Sequence, residues 1–113
     1  MARVSNNMMT CTPTFSPASG VTVSAQGWKK VQNIVTADLT LVLSSSVAAN
    51  GSKVIGTVAD GGRPDHTVSG NTRTTTTFIR SSITTSGTVT LATATSLVAN
   101  STVYATFNYI SST

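Results

Sequence analysis

The chain has 113 residues, net charge +4, nine per cent charged residues and 39% hydrophobic ones, which fits one domain with one modest core. Ser and Thr make up about a third of it and Glu is absent, a composition that suits pleated sheet and offers little for amphipathic helices. One His and one Cys exclude an internal disulfide and a Cys-based metal site and leave too few ligands for a self-contained transition-metal site, although three-fold symmetry could bring three copies of His66 together; neither metal nor cofactor is expected.

In chain order, Met1 to Ser19 reads as an extended N-terminal arm broken by Pro13 and Pro17, with a short edge strand over Thr12 to Ser16. A head domain is expected over 20–113. Gly20 opens a strand at Val21-Thr22-Val23-Ser24, and Ala25-Gln26-Gly27 reads as a turn. From Trp28 to Leu43 the pattern is clearest. Val35, Ala37, Leu39, Leu41 and Leu43 share one phase and Thr36, Asp38 and Thr40 the other, the period of a strand with one buried face. Gln32-Asn33 reads as a tight turn inside that stretch.

Ala49-Asn50-Gly51 predicts a hairpin turn, followed by a strand from Lys53 to Val58 with Val54, Gly56 and Val58 in phase. Asp60-Gly61-Gly62-Arg63-Pro64-Asp65 is a loop by its chemistry. Thr74 to Arg80 reads as a strand with a partly buried threonine surface. Turns at Ser86-Gly87 and Ala99-Asn100-Ser101 frame Thr88 to Leu91, and Thr102 to Ile110 closes the chain with Val103, Ala105, Phe107 and Tyr109 on one phase. Ser46-Val47-Ala48-Ala49-Asn50 is echoed by Ser96-Leu97-Val98-Ala99-Asn100, which reads as two hairpins of similar chemistry. Seven or so short strands with regular turns predict an all-β antiparallel sandwich or jelly roll.

Catalysis has little to work with. The carboxylates are Asp38, Asp60 and Asp65, His66 is the sole imidazole, and no Ser sits in a nucleophile-elbow motif. Asp65 and His66, adjacent on an extended chain, are expected to point apart. The reading is therefore a non-enzyme. The basic residues Arg3, Lys29, Lys30, Lys53, Arg63, Arg73 and Arg80 are scattered rather than gathered with stacking aromatics, which argues against nucleic acid. No run reaches the ~18 apolar residues of a membrane span, and no signal peptide is visible in the first ten residues. So sparse a charge set suggests a surface covered in an assembly. Trp28 sits beside a turn and two lysines and reads equally as core lid or binding platform. Tyr104, opposite in phase to Val103 and Phe107, is free to face a ligand or a neighbouring subunit. With Asp65, His66 and Arg73, these form the candidate ligand-binding set.

Thr57-Val58-Ala59-Asp60-Gly61-Gly62-Arg63-Pro64 resembles the Leu-Pro-x-Gly-Tyr-Arg-Pro segment of the C-terminal head modules of phage tail and baseplate receptor-binding proteins. Gly20–Val23, the Lys29–Thr36 hairpin, Gly87–Leu91 and Val103–Tyr109 resemble other segments of those modules in the same order. The likeness spans Val21 to Ile110, and departs at Gly62, where the family has Tyr, and at Gln32, where it has Gly. It implies a homotrimeric head in a virion, with other tail or capsid proteins as partners and host cell-wall saccharide bound near subunit junctions. It also implies that the turn Gly61-Gly62-Arg63-Pro64 is structural, and it places no ligand residue by number. The alternative is a structural virion protein, a capsid decoration or fibre component with no ligand of its own.

Overall fold

The structure, a computed structural model, describes residues 10–11, 13–59 and 61–112. Of the expected Met1–Ser19 arm, Met1–Met9 and Thr12 lie outside the described residues, as does the loop carboxylate Asp60. The strands are β1 (Thr10–Cys11), β2 (Phe15–Pro17), β3 (Val21–Val31), β4 (Ile34–Leu43), β5 (Ser52–Val58), β6 (Val68–Arg73), β7 (Phe78–Ile83), β8 (Thr88–Ala92) and β9 (Thr102–Ile110). They form one antiparallel sheet in the order β1-β3-β4-β9-β6-β7-β8-β5-β2. No helix among the described residues is long and apolar enough to cross a membrane.

The sheet curls until its ends meet. β1 pairs with β3 while β2 pairs with β5, so residues 10–17 change partner across the seam. Phe15 of β2 stacks on Trp28 of β3 there, with ring centroids 5.8 Å apart. Thr10–Cys11 and Phe15–Pro17 of the expected arm thus pair with strands of the sheet. β6, β7 and β8 form a meander with β9 beside β6, and β2, β3 and β4 follow one another around the seam with β5 beside β2. Both are Greek keys, and together they close the sheet almost to a barrel, without the β2–β9, β3–β8, β4–β7 and β5–β6 pairs that the expected jelly roll would have.

The alternation in β4 and β9 builds the core. Val35, Leu41, Leu43 and Val103 have no exposed surface, and each buried aliphatic side chain contributes about 1.5–3 kcal/mol. Glycines let large rings in. A Cβ on Gly56 would collide with the Phe15 ring, and one on Gly70 with the Phe107 ring.

The hairpin at Gln32-Asn33 forms as expected, with Val31 opposite Ile34 and Gln32 in the left-handed region at φ 55°. Several expectations are corrected. Ala25-Gln26-Gly27 is not a turn: β3 continues through it, and the register slips between Val23 and Ala25, a bulge that places Ser24 Oγ 3.1 Å from the Thr40 carbonyl. Another slip between Val54 and Gly56 leaves Val54 exposed while Ile55 is buried, so Val54 and Val58 do not share a face. Residues 74–77 are not a strand but the β6–β7 turn, in which Thr74 Oγ1 accepts from the Thr77 amide at 3.1 Å. A hydroxyl bonding its neighbours' amides offers the backbone an alternative to the ladder. β6 itself was not expected.

The two echoed segments are not hairpins either. They are the β4–β5 and β8–β9 connections, and they bond to each other through Val47 and Leu97, at 2.9 and 2.8 Å. Each places Asn in the left-handed region, Asn50 at φ 60° and Asn100 at φ 67°. Val42 pairs with Thr102 and Ser52 with Ala92, so a shift of fifty residues exchanges one ladder for the other about a local two-fold axis.

Candidate functional site

The outward side of β4, β9, β6 and β7 carries cross-strand rows fixed by register. In one row Thr40 lies opposite Tyr104, Tyr104 opposite Arg73, and Arg73 opposite Phe78. In the next, Asp38, Thr106, Asn71 and Arg80 follow one another. Inward neighbours hold these strands in place. Thr72 and Ser81, both buried, share a hydroxyl hydrogen bond of 2.5 Å beneath the rows.

Arg73 Cζ stands 4.9 Å from the centre of the Tyr104 ring, a cation–π contact that preorganises the guanidinium. Its Nη1 also reaches the Thr74 carbonyl at 3.4 Å. Phe78 beside it is 88% exposed. It leaves an apolar ring face open to solvent beside the guanidinium. These side chains, with Asn71 and Thr106, line an open depression of about 400 Å³. Chemically it offers two ring faces, one fixed cation, an amide and a hydroxyl, which suits a ligand with both apolar faces and hydroxyl edges.

Arg73 and Tyr104, singled out from the sequence separately, are thus brought together. The other three candidates are not. Trp28 is buried, stacked on Phe15, with its indole Nε1 donating to Gln26 Oε1 at 2.9 Å. It is the core lid. Asp65 donates its amide to the Ile110 carbonyl at the far end of β9, roughly 20 Å along the strand from Tyr104. There Asp65 and His66 do not point apart: Asp65 Oδ1 lies 2.7 Å from His66 Nδ1, on an exposed surface. Phe78 was missed as a site residue. Its signal was the shared phase with Arg80, which the core-facing Ile79 and Ile83 would have assigned to the outside.

The Gly61–Pro64 turn is built from within. Lys30 Nζ donates to the Gly61 carbonyl at 2.6 Å, the Tyr109 hydroxyl to the Gly62 carbonyl, and Arg63 Nε to the Val58 carbonyl at 3.2 Å. Pro64 is fully buried and Gly61 sits at φ 97°. A Cβ at Gly62 would stand 2.5 Å from Pro13, so the larger residue of the resembled motif has no room while Pro13 packs there. Burial of Tyr109 pushes its pKa up to about 12. Among the described residues, no group of three or more His, Cys, Asp or Glu is placed to hold a metal.

No protein-family model matches the chain, and no curated protein matches it by sequence. Among solved structures it is similar to the head domain of phage bIL170, from work on the receptor-binding domains of lactococcal phages. The TM-score is 0.65 at 17% identity, over 87% of this chain and 96% of that one. The match extends over nearly the whole neighbouring domain, as the Gly61–Pro64 resemblance implied. In fold, this chain is similar to a phage receptor-binding head domain.

Proposed function

We propose that the chain is a non-catalytic receptor-binding head of a phage virion, which adheres to saccharide on the host surface and acts as a homotrimer. The observation that carries this reading is the Tyr104–Arg73–Phe78 row, standing on a fold similar to that of a phage receptor-binding head. Phe78 offers a flat apolar face to a sugar ring, and Arg73, held by Tyr104, donates to ring hydroxyls together with Asn71. One such site is shallow and binds weakly. Three copies in a trimer, and many trimers on a particle, multiply weak contacts into firm adhesion.

The test is retention of the purified oligomer on an array of bacterial wall polysaccharides and on host cells. Arg73→Ala and Tyr104→Ala are each expected to weaken retention ~10-fold, the scale of one lost ring or charged hydrogen-bond contact. Background retention of the unaltered oligomer on both surfaces would sink the adhesion reading and favour a structural role in the particle.

A further inference from the structure

The depression at Arg73 does not end at Arg73. On one side it shares Gly70, Asn71 and Thr106 with a second depression of about 340 Å³ that reaches Asp38, Ser69 and Asn108. On the other, Arg73 and Phe78 lead into a hollow under residues 74–77. That hollow continues into a third of about 320 Å³ between the β6–β7 turn and the β8–β9 connection, where Ser101 and Thr102 lie. The outward residues of β9, namely Thr102, Tyr104, Thr106 and Asn108, appear along this path in order. They make the floor of one trough, roughly 20 Å long at the rise of a β-strand.

The lining mixes polar and apolar surface along its length. Hydroxyls of Thr and Ser and amides of Asn recur from end to end, and the rings of Tyr104 and Phe78 stand in the middle. Alternating hydroxyls with a central ring face match a chain of sugar units, each with hydroxyl edges and an apolar face. From this continuity we infer that the trough takes an internal stretch of a linear polysaccharide, several linked units long, and not a single sugar or a chain terminus. The inference rests on the saccharide reading above and goes further, because it specifies which part of the polymer is held.

The experiment starts from whichever bacterial wall polysaccharide an array retains, cut to a ladder of fragments whose ends are either native or chemically capped. Affinity is expected to rise by ~10-fold or more from one unit to the length of the trough, each added ring contact being worth a fraction of that factor. Beyond that length it is expected to level off, with capped and native ends binding alike. Asn108→Trp at one end and Thr102→Trp at the other are expected to weaken long fragments more than short ones. Tyr104→Ala should weaken both. A single unit that binds as well as the long fragments, or binding lost on capping one end, would overturn the inference and leave saccharide adhesion standing. An array that retains nothing overturns both.

Discussion

Tyr109 donates from inside the core to the Gly62 carbonyl, and its chemistry makes the fold sensitive to alkali. Burial raises its pKa from 10.0 to about 12, so the folded chain keeps a proton that the unfolded chain gives up. Stability is therefore complete below pH 10 and falls as pH rises from about 10 to about 12, by on the order of 2 kcal/mol. Denaturant titrations across pH 8 to 12 measure this. Tyr109→Phe should start about 1–2 kcal/mol less stable, because a buried carbonyl loses its donor, and should then show a shallower alkaline fall. An equal fall in both proteins would assign the effect elsewhere. The inward phase of Tyr109 was legible in the sequence, but its partner was not, since Gly62 lies 47 residues away. The same holds at the site. Arg73 and Tyr104 each stood out by residue type, whereas their contact depends on the β6–β9 register, which no local pattern encodes.

At the scale of elements, strands with one clean buried face were readable and strands with bulges were not. β4 and β9 alternate without interruption and lie where the pattern places them. β3 and β5 each carry a register slip, and a period-2 reading mistakes the first for a turn and puts Val54 on the wrong face. The run of four threonines misled for another reason: high strand propensity lost to side-chain bonds that close a turn. Four substitutions, one of them a control, probe the elements that hold the sheet together. Gly56→Ala presses a methyl into the Phe15 ring and the Ser16 carbonyl, so a loss of ~2 kcal/mol or more is expected in chemical denaturation. Gly27→Ala, which meets nothing within 4 Å, should cost little and serves as the control. Leu97→Ala empties the contact on the local two-fold axis and is expected to cost about 2–4 kcal/mol, with Val47→Ala somewhat less. A Leu97→Ala protein as stable as the parent would show that the two connections do not support each other.

For the whole molecule, neither the closure nor the assembly was legible in local residue patterns. Closure depends on residues 10–17 changing partner from β3 to β5, and on one stacked pair, Phe15 and Trp28, whose members are thirteen residues apart. The assembly proposed here is checked by light scattering, which should return three chain masses at micromolar concentration. A single chain mass throughout that range would remove the trimer from the proposal. Exposed Ile34 and Ile110 face each other across the β4–β9 ladder, an apolar pair of the kind that subunit contacts cover.

That ladder also dictates the order in which the chain can be finished. β4 pairs with β9 from Val42 with Thr102 to Ile34 with Ile110, partners made sixty to seventy-six residues apart. At ~5–20 residues per second, a ribosome needs roughly 3–15 s to supply the second strand after the first. Through that interval β4 has β3 on one side and an open edge on the other. A nascent chain of this protein must therefore be shielded from its siblings until its last strand emerges, and synthesis on crowded polysomes is where it is most exposed to joining the wrong copy.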